Sequence, residues 1–406
     1  MSSVIEATES KVPGTEAFVP VQTRSERPHS YDPADFGTPL GYEVNWKHTP
    51  IARVAPLFVD EETELGDELA ITYDIDAPEG MLVESTGIDA AVRGEVFKPE
   101  DLPSAIAWKR CTNALHLRIP AGEAVAEPLR VRMHGTGAGR HGNAHIIIEA
   151  MPQSEGTVVL EHSGSANYAQ NVEIIVRDGA RLNVITVHRW EDDAVHAAAH
   201  QARVDRDAYL RHIVVSLGGG LVRVNPSVEL AGTGSEGELF GLSFADAGQH
   251  LESQVYLHHK GAHTRGDVLY KGALQGVGAR SVWIGDVLIG PDAVATDSYE
   301  ANRNLVLTEG ARADSIPHLE IQTGNILGAG HASATGRFDD EQLFYLQARG
   351  IPEDEARRLV VRGFLNEIVT RIGVPDLEEA LSAAIEAELD ASTTPVPVPA
   401  TKRVGA

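Results

Sequence analysis

His196 with His200, and His259 with His263, have the i, i+4 spacing with which one face of a helix can hold a metal ion in this 406-residue chain. The first pair lies in DDAVHAAAHQAR, a run able to form a helical turn. No acidic residue stands between its histidines to act as the base of a metallohydrolase. The second pair lies in a strand-like run, where residues four apart share a face but stand roughly 13 Å from each other, too far for one ion. Ordinary surface or hydrogen-bonded histidines are the expectation at all four positions. Cys111 is the only cysteine. It cannot form an intramolecular bridge, and one thiolate cannot hold a metal cluster or a structural zinc, so any such group must draw donors from a partner.

Other chemistries find little footing. GAGRHG, residues 137–142, matches the glycine pattern of a dinucleotide site, but HIIIEA follows it and reads as a strand. The pyrophosphate would need a helix N-terminus there. No G-K-S or G-K-T loop occurs, so ATP hydrolysis, if required, falls to a partner, and no G-x-S-x-G supports a serine hydrolase. Glu320 and Asp314 are the carboxylates available to a carbohydrate-cleaving enzyme built on a strand-rich surface.

The elements that would position such residues follow from composition and period. With 42% apolar and 23% charged residues the chain can bury a core. Its formal charge of −25 would repel nucleic acid and anionic membranes. No apolar run approaches the roughly 20 residues of a membrane span. Met1 to Ser10 lacks the basic and apolar parts of a secretory leader, so the cytoplasm is the expected location. Residues 1–30 and the Pro-rich residues 391–406 read as disordered tails. Residues 31–130 read as a small N-terminal helical/α+β region in which Asp35 can cap a short turn, Pro50 can open a helix and Trp46 anchors a core.

Residues 131–336 read as short β-branched strands separated by Gly, Asp and Asn turns. GARLNVITV from Gly179 and DAYLRHIVV from Asp207 superimpose with an offset of 28, and Gly-Ala-Arg recurs at Gly179, Gly278 and Gly310. Strand-only repeats of this period point to stacked coils, a mainly β protein with a right-handed parallel β-helix core. An antiparallel sandwich is the competing fold. From about residue 337 to 390 the period changes to that of helices, giving a C-terminal helical domain. One helix runs from Asp339 or Asp340 to Gly350. A second opens at Pro352 with an apolar stripe through Ala356, Leu359, Val360, Phe364, Ile368 and Ile372. A third starts at Asp376. Three such helices can cap the end of the coil.

The stretch from Asn304 to Val369 resembles the SufB/SufD family of iron–sulfur cluster assembly scaffold proteins at its most diagnostic segment, through NLVL, IPHLEI, a Gly-Ala-Gly-His turn and FYLQARGI in that order. GGGLVRVNPSVELAGTG from Gly218 and HLESQVYLHHKGAHTRGDVLYKGALQG from His250 extend the likeness, and WKHTPIARV is typical of the SufD branch. The resemblance implies a non-catalytic scaffold that binds no cofactor alone. It pairs with a SufB-like sister subunit through the β-helix, shares a transient iron–sulfur cluster with it, and docks a SufC-like ATPase on the C-terminal helices. His331 matches the histidine that faces the cluster, while Ala329 stands two before it where Cys is frequent. Phe344, Tyr345, Arg349, Phe364 and Asn366 fall to helical packing and partner contacts. A SufB-type scaffold and a stand-alone β-helix carbohydrate enzyme are the alternatives. The first is disfavoured because Cys111 lies outside the turn motif.

Overall fold

The computed structural model describes residues 28–60, 69–337 and 340–392. Most of both expected tails, and Asp339 as a helix cap, lie outside the described residues. Strands dominate. β1 (Ile71–Asp76), β2 (Leu82–Gly87) and β3 (Asn113–Ile119) precede two 22-residue strands, β4 (Leu129–Ala150) and β5 (Glu155–Val176). Shorter strands then alternate: β6 (Arg181–Trp190), β7 (Val195–Val204), β8 (Tyr209–Ser216), β9 (Leu221–Leu230), β10 (Glu236–Ala245), β11 (His250–His259), β12 (Arg265–Leu274), β13 (Arg280–Ile289), β14 (Asp297–Val306), β15 (Arg312–Ile321) and β16 (Gly328–Arg337).

β5 pairs with β6 through its first half and with β7 through its second, both in parallel. From there two rows of strands grow side by side: β6, β8, β10, β12, β14 and β16 in one, and β7, β9, β11, β13 and β15 in the other. The result is a parallel β-solenoid of about eight turns, not a sandwich. Inward positions stack as columns. Val176, Val204 and Leu230 are successive partners, as are Val184, His212, Leu239 and Val268. Each Val or Leu buried this way contributes about 1.5–3 kcal/mol. The sequence repeats are this stacking in literal form. The offset of 28 is the register in which Arg181 faces Tyr209, and the recurrence from Gly278 to Gly310 places Arg280 opposite Arg312. Gly278 and Gly310 turn each coil at φ +80° and +83°, backbone that a Cβ disfavours.

Two outer layers clothe the coil. Trp46, Val54 of α1 (Ile51–Val54) and Leu57 cover Ala197 and Leu221 on one row. Trp46 meets Phe58 edge-on, the core anchor expected of it. Asp32, not Asp35, caps the short turn at Pro33–Asp35, and Pro50 occupies the cap position before α1. α2 (Leu102–Arg110) is closed by a reciprocal cap between Asp101 and Ser104 and lies buried against β4 and β5.

The C-terminal helices are α3 (Asp340–Ala348), α4 (Glu353–Val369) and α5 (Pro375–Ser392). Gly350 takes φ +86° after the first of them, and Pro352 caps the second, as their types suggested. They do not cap the coil. Val361, Leu365, Ile368, Leu377, Leu381 and Ile385 pack along the flank on Val187, Ile213, Val215, Phe240 and Leu242, outward residues of the other row. The reason is that this row presents apolar side chains on both faces and must bury the outer one. The helical stripe shifts accordingly. Leu359 is exposed, and Val361, Leu365 and Val369 take the buried side with Ala356, Ile368 and Ile372.

A second correction concerns His196 and His200, which lie on strand β7 rather than a helical turn, fully buried. The run from Val195 joins the ladder because Ala197 and Leu221 continue a packed wall that a helix would interrupt. His263 falls in a turn at φ +58°, outside the strand of His259. GAGRHG lies within β4 at a register shift between Thr136 and His141 and is followed by strand, which removes the dinucleotide reading.

Candidate functional site

The solenoid ends at β15 and β16, the last strands of the two rows, and no strand pairs with their outer edges among the described residues. Most of their side chains are partly or fully exposed, in contrast to the buried coils behind them. Ile321 and Leu327 add exposed apolar surface at this end. Unpaired backbone groups on two ten-residue strands form a template for another chain.

His331 sits on β16 directly opposite Glu300 of β14, and Glu300 is opposite Val268 of the core column, so all three face the interior of the coil. The last coil is open, and the imidazole is 45% exposed. The carboxylate below it is 1% exposed, and neither oxygen has a hydrogen-bond partner. Burial, with a smaller contribution from the Asp286 charge, pushes its pKa up to about 8. His331 Nδ1 lies 3.8 Å from Glu300 Oε1, just beyond hydrogen-bond reach. Space for the carboxylate comes from Gly285, since a methyl group there would approach Glu300 Oε2 to 2.4 Å and the Trp283 ring to 2.3 Å. Trp283 Nε1 and Tyr270 Oη are also buried without partners nearby, with their rings 6.2 Å apart. Next to this site, on the outer face, His318 Nδ1 contacts Asp286 at 2.8 Å.

Sequence reasoning singled out His331 and missed Glu300. A signal was present, because Glu300 stands at an inward position of β14 whose column carries Val184, Leu239 and Val268 in earlier coils. Ala329 packs on the core two residues before His331 and brings no donor. Cys111 closes α2 far back along the coil, buried, with its thiol pushed up to about 12 by desolvation. It supplies no thiolate to this end.

The partner-contact residues divide. Phe344 and Tyr345 of α3 are exposed, the former by 71%, and Arg349 lies over the Tyr345 ring at 4.7 Å. Asn366 is exposed on α4. Phe364 is half-buried at the seam between α4 and β12, where Lys271 Nζ sits 4.5 Å above its ring and donates to its carbonyl. The carboxylates considered for glycan cleavage do not cooperate. Asp314 is held down by Arg312 and Arg280, and Glu320 lies six residues along the same strand, about 20 Å away.

A second cluster lies deeper. His162, His188 and His196 bring one ring nitrogen each within 4.8 Å of the others, and His200 contacts His212 at 2.9 Å. All are buried. Desolvation lowers their pKa values, to about 4 for His162 and His212, and keeps the rings neutral. His162 and His188 stack at 4.6 Å with only 20° between planes, and lone pairs in near-parallel planes do not converge on one ion. His196 Nδ1 is engaged with the Tyr168 carbonyl.

Comparison with known proteins follows the same line. Residues 133–364, more than half of the chain, match the family model described as SUF system FeS cluster assembly, SufBD core domain. An iron–sulfur cluster assembly SufBD family protein of Mycobacterium bovis is 46% identical over 367 residues, covering 89% of this chain and 92% of its own. A SufBD family protein of Mycobacterium leprae is 45% identical over 366 residues, with 89% and 93% covered. The iron–sulfur cluster assembly protein SufD of Escherichia coli is 27% identical over 387 residues, with 86% and 89% covered. No described helix is long and apolar enough to cross a membrane.

Proposed function

The chain belongs to the SufBD family of iron–sulfur cluster assembly proteins, and on that premise we propose that it is a non-catalytic, SufD-like scaffold subunit of a SUF complex. It pairs with a SufB-like sister through the open end of its solenoid, and a SufC-like ATPase docks on its C-terminal helices around Phe344, Tyr345, Arg349, Phe364 and Asn366. The cluster is cargo, built at the shared interface with His331 as this chain's donor and thiolates from the sister.

The observation that carries the reading is the uncovered last coil, where two unpaired strand edges surround an accessible imidazole. A β-edge offers main-chain hydrogen bonds to a sister coil, and an imidazole beside it can complete a coordination shell begun by soft donors. The chain's poverty in sulfur fits a subunit that lends one nitrogen ligand. The paired, distant Asp314 and Glu320 give the glycan-enzyme reading no support.

The test is co-expression with SufB-like and SufC-like partners. A three-subunit assembly should purify, and His331→Ala should leave it intact while iron retention and cluster formation fall about tenfold. Normal cluster formation in that variant refutes the ligand role, and failure of this chain to join either partner refutes the scaffold role.

A further inference from the structure

Glu300 is a carboxylate with nothing to do inside the isolated chain. Removing a carboxyl group from water without hydrogen bonds is costly, so a buried one with two unpartnered oxygens calls for a function or an absent partner. Val268 is its neighbour in the coil behind, Gly285 and Trp283 flank it, and His331 faces it from the last strand of its row. The imidazole offers Nδ1 to the carboxylate at 3.8 Å, so its other nitrogen, across the ring, is the one free to serve a ligand at the interface.

We propose that Glu300 is a positioning residue for His331: when Nε2 binds iron at the subunit interface, the buried carboxylate accepts the Nδ1–H and fixes the ring's tautomer and plane. This rests on the ligand role of His331 given above. Closing 3.8 Å to a hydrogen bond needs a shift of about 1 Å, within reach of an exposed side chain on the last coil. Metal-bound histidines commonly give their second N–H to a carboxylate, which raises ligand basicity and reduces the rotamers lost on binding. Gly285 belongs to the device because any larger residue would displace the carboxylate. Two alternatives are distinguishable by experiment. Glu300 could itself be the iron ligand, or it could receive a cationic side chain from the sister subunit.

The experiment compares wild type, Glu300→Gln, Glu300→Asp and His331→Ala in the co-purified complex and in the full-length chain alone. It measures bound iron, the reduction potential of the reconstituted cluster, and thermal melting. Expected for Glu300→Gln is normal melting and normal assembly, about tenfold weaker iron retention, and a raised potential from the less basic imidazole, with partial recovery in Glu300→Asp. Wild-type iron retention and potential in Glu300→Gln, alongside loss in His331→Ala, overturn the inference and leave the ligand reading standing. Unchanged iron in His331→Ala overturns both. Iron binding by the isolated His331→Ala chain that disappears on adding Glu300→Gln makes the carboxylate a direct ligand and overturns positioning. Failure of Glu300→Gln to assemble with the sister assigns the carboxylate to a cationic contact and also overturns it.

Discussion

Glu252 and Glu300 are both buried glutamates of one solenoid, and they are held in opposite ways. Glu252, on β11 beneath the N-terminal layer, meets Thr49 Oγ1 at 2.9 Å, His250 Nε2 at 2.9 Å, Gln254 Nε2 at 2.7 Å and Arg223 Nε at 3.2 Å. Despite full desolvation, His250 and Arg223 bring its carboxyl down to about 2. Arg223 in turn pairs with Asp101 at 2.8 Å, donates to the Asn45 carbonyl and lies over Trp46 at 4.1 Å. Glu300 has none of this, and burial raises its carboxyl to about 8. The first region completes its polar accounts within the chain and staples an outer layer to the coil. The second is left incomplete at a face where another subunit can finish it.

Acid should break the first region most strongly. Glu252 has a depressed folded pKa, so its stabilisation is present above about pH 4.5 and is lost as pH falls toward about 2. His162 and His212, lowered to about 4, and His259, lowered to about 3, are neutral in the fold. They favour the folded state above their ordinary pKa of about 6.5, and that advantage is lost as pH drops from there toward 4 and 3. Urea midpoints should therefore decline steadily below about pH 6.5. A midpoint flat from pH 7 to 4 would contradict the buried neutral histidines.

Next in size is Arg223→Met, which leaves Asp101 and Glu252 facing each other's vacancy without their shared cation. It should cost about 3–5 kcal/mol in denaturant unfolding. A neutral result would mean that the network around Glu252 is no more structural than the site around Glu300, and the contrast would collapse. Smaller again is Gly285→Ala. Its methyl group meets Trp283 and Glu300 at under 2.5 Å, so overpacking should cost about 1–3 kcal/mol and, by displacing the carboxylate, weaken iron retention in the complex. Retention equal to wild type would separate Glu300's position from His331's function.

Much of this was legible in the chain. The recurrence of Gly-Ala-Arg and the offset of 28 gave the coil because parallel stacking repeats each inward residue at a fixed register. Gly350 and Pro352 marked helix ends because their backbone preferences are local. Less was legible where the answer depended on a surface made by distant residues. The apolar period of α4 was evident, but whether it covered the end or the flank depended on Phe240, Leu242 and Ile213, which face outward from other coils. The pair His196 and His200 showed helical spacing, and the wall beside it imposed a strand.

From residue types and spacing alone came the strand-rich repeat, the helical C-terminus and the shortage of sulfur, because these are carried by near neighbours in the chain or by composition, whereas the candidate His331 came from the resemblance to the SufB/SufD family. Tertiary structure alone decided that Glu300 lies beneath His331, since β14 and β16 meet only after a full coil has wound between them. It also decided which carboxylates are satisfied, because a buried charge is stabilised or left bare by whatever the fold brings within about 3 Å of it.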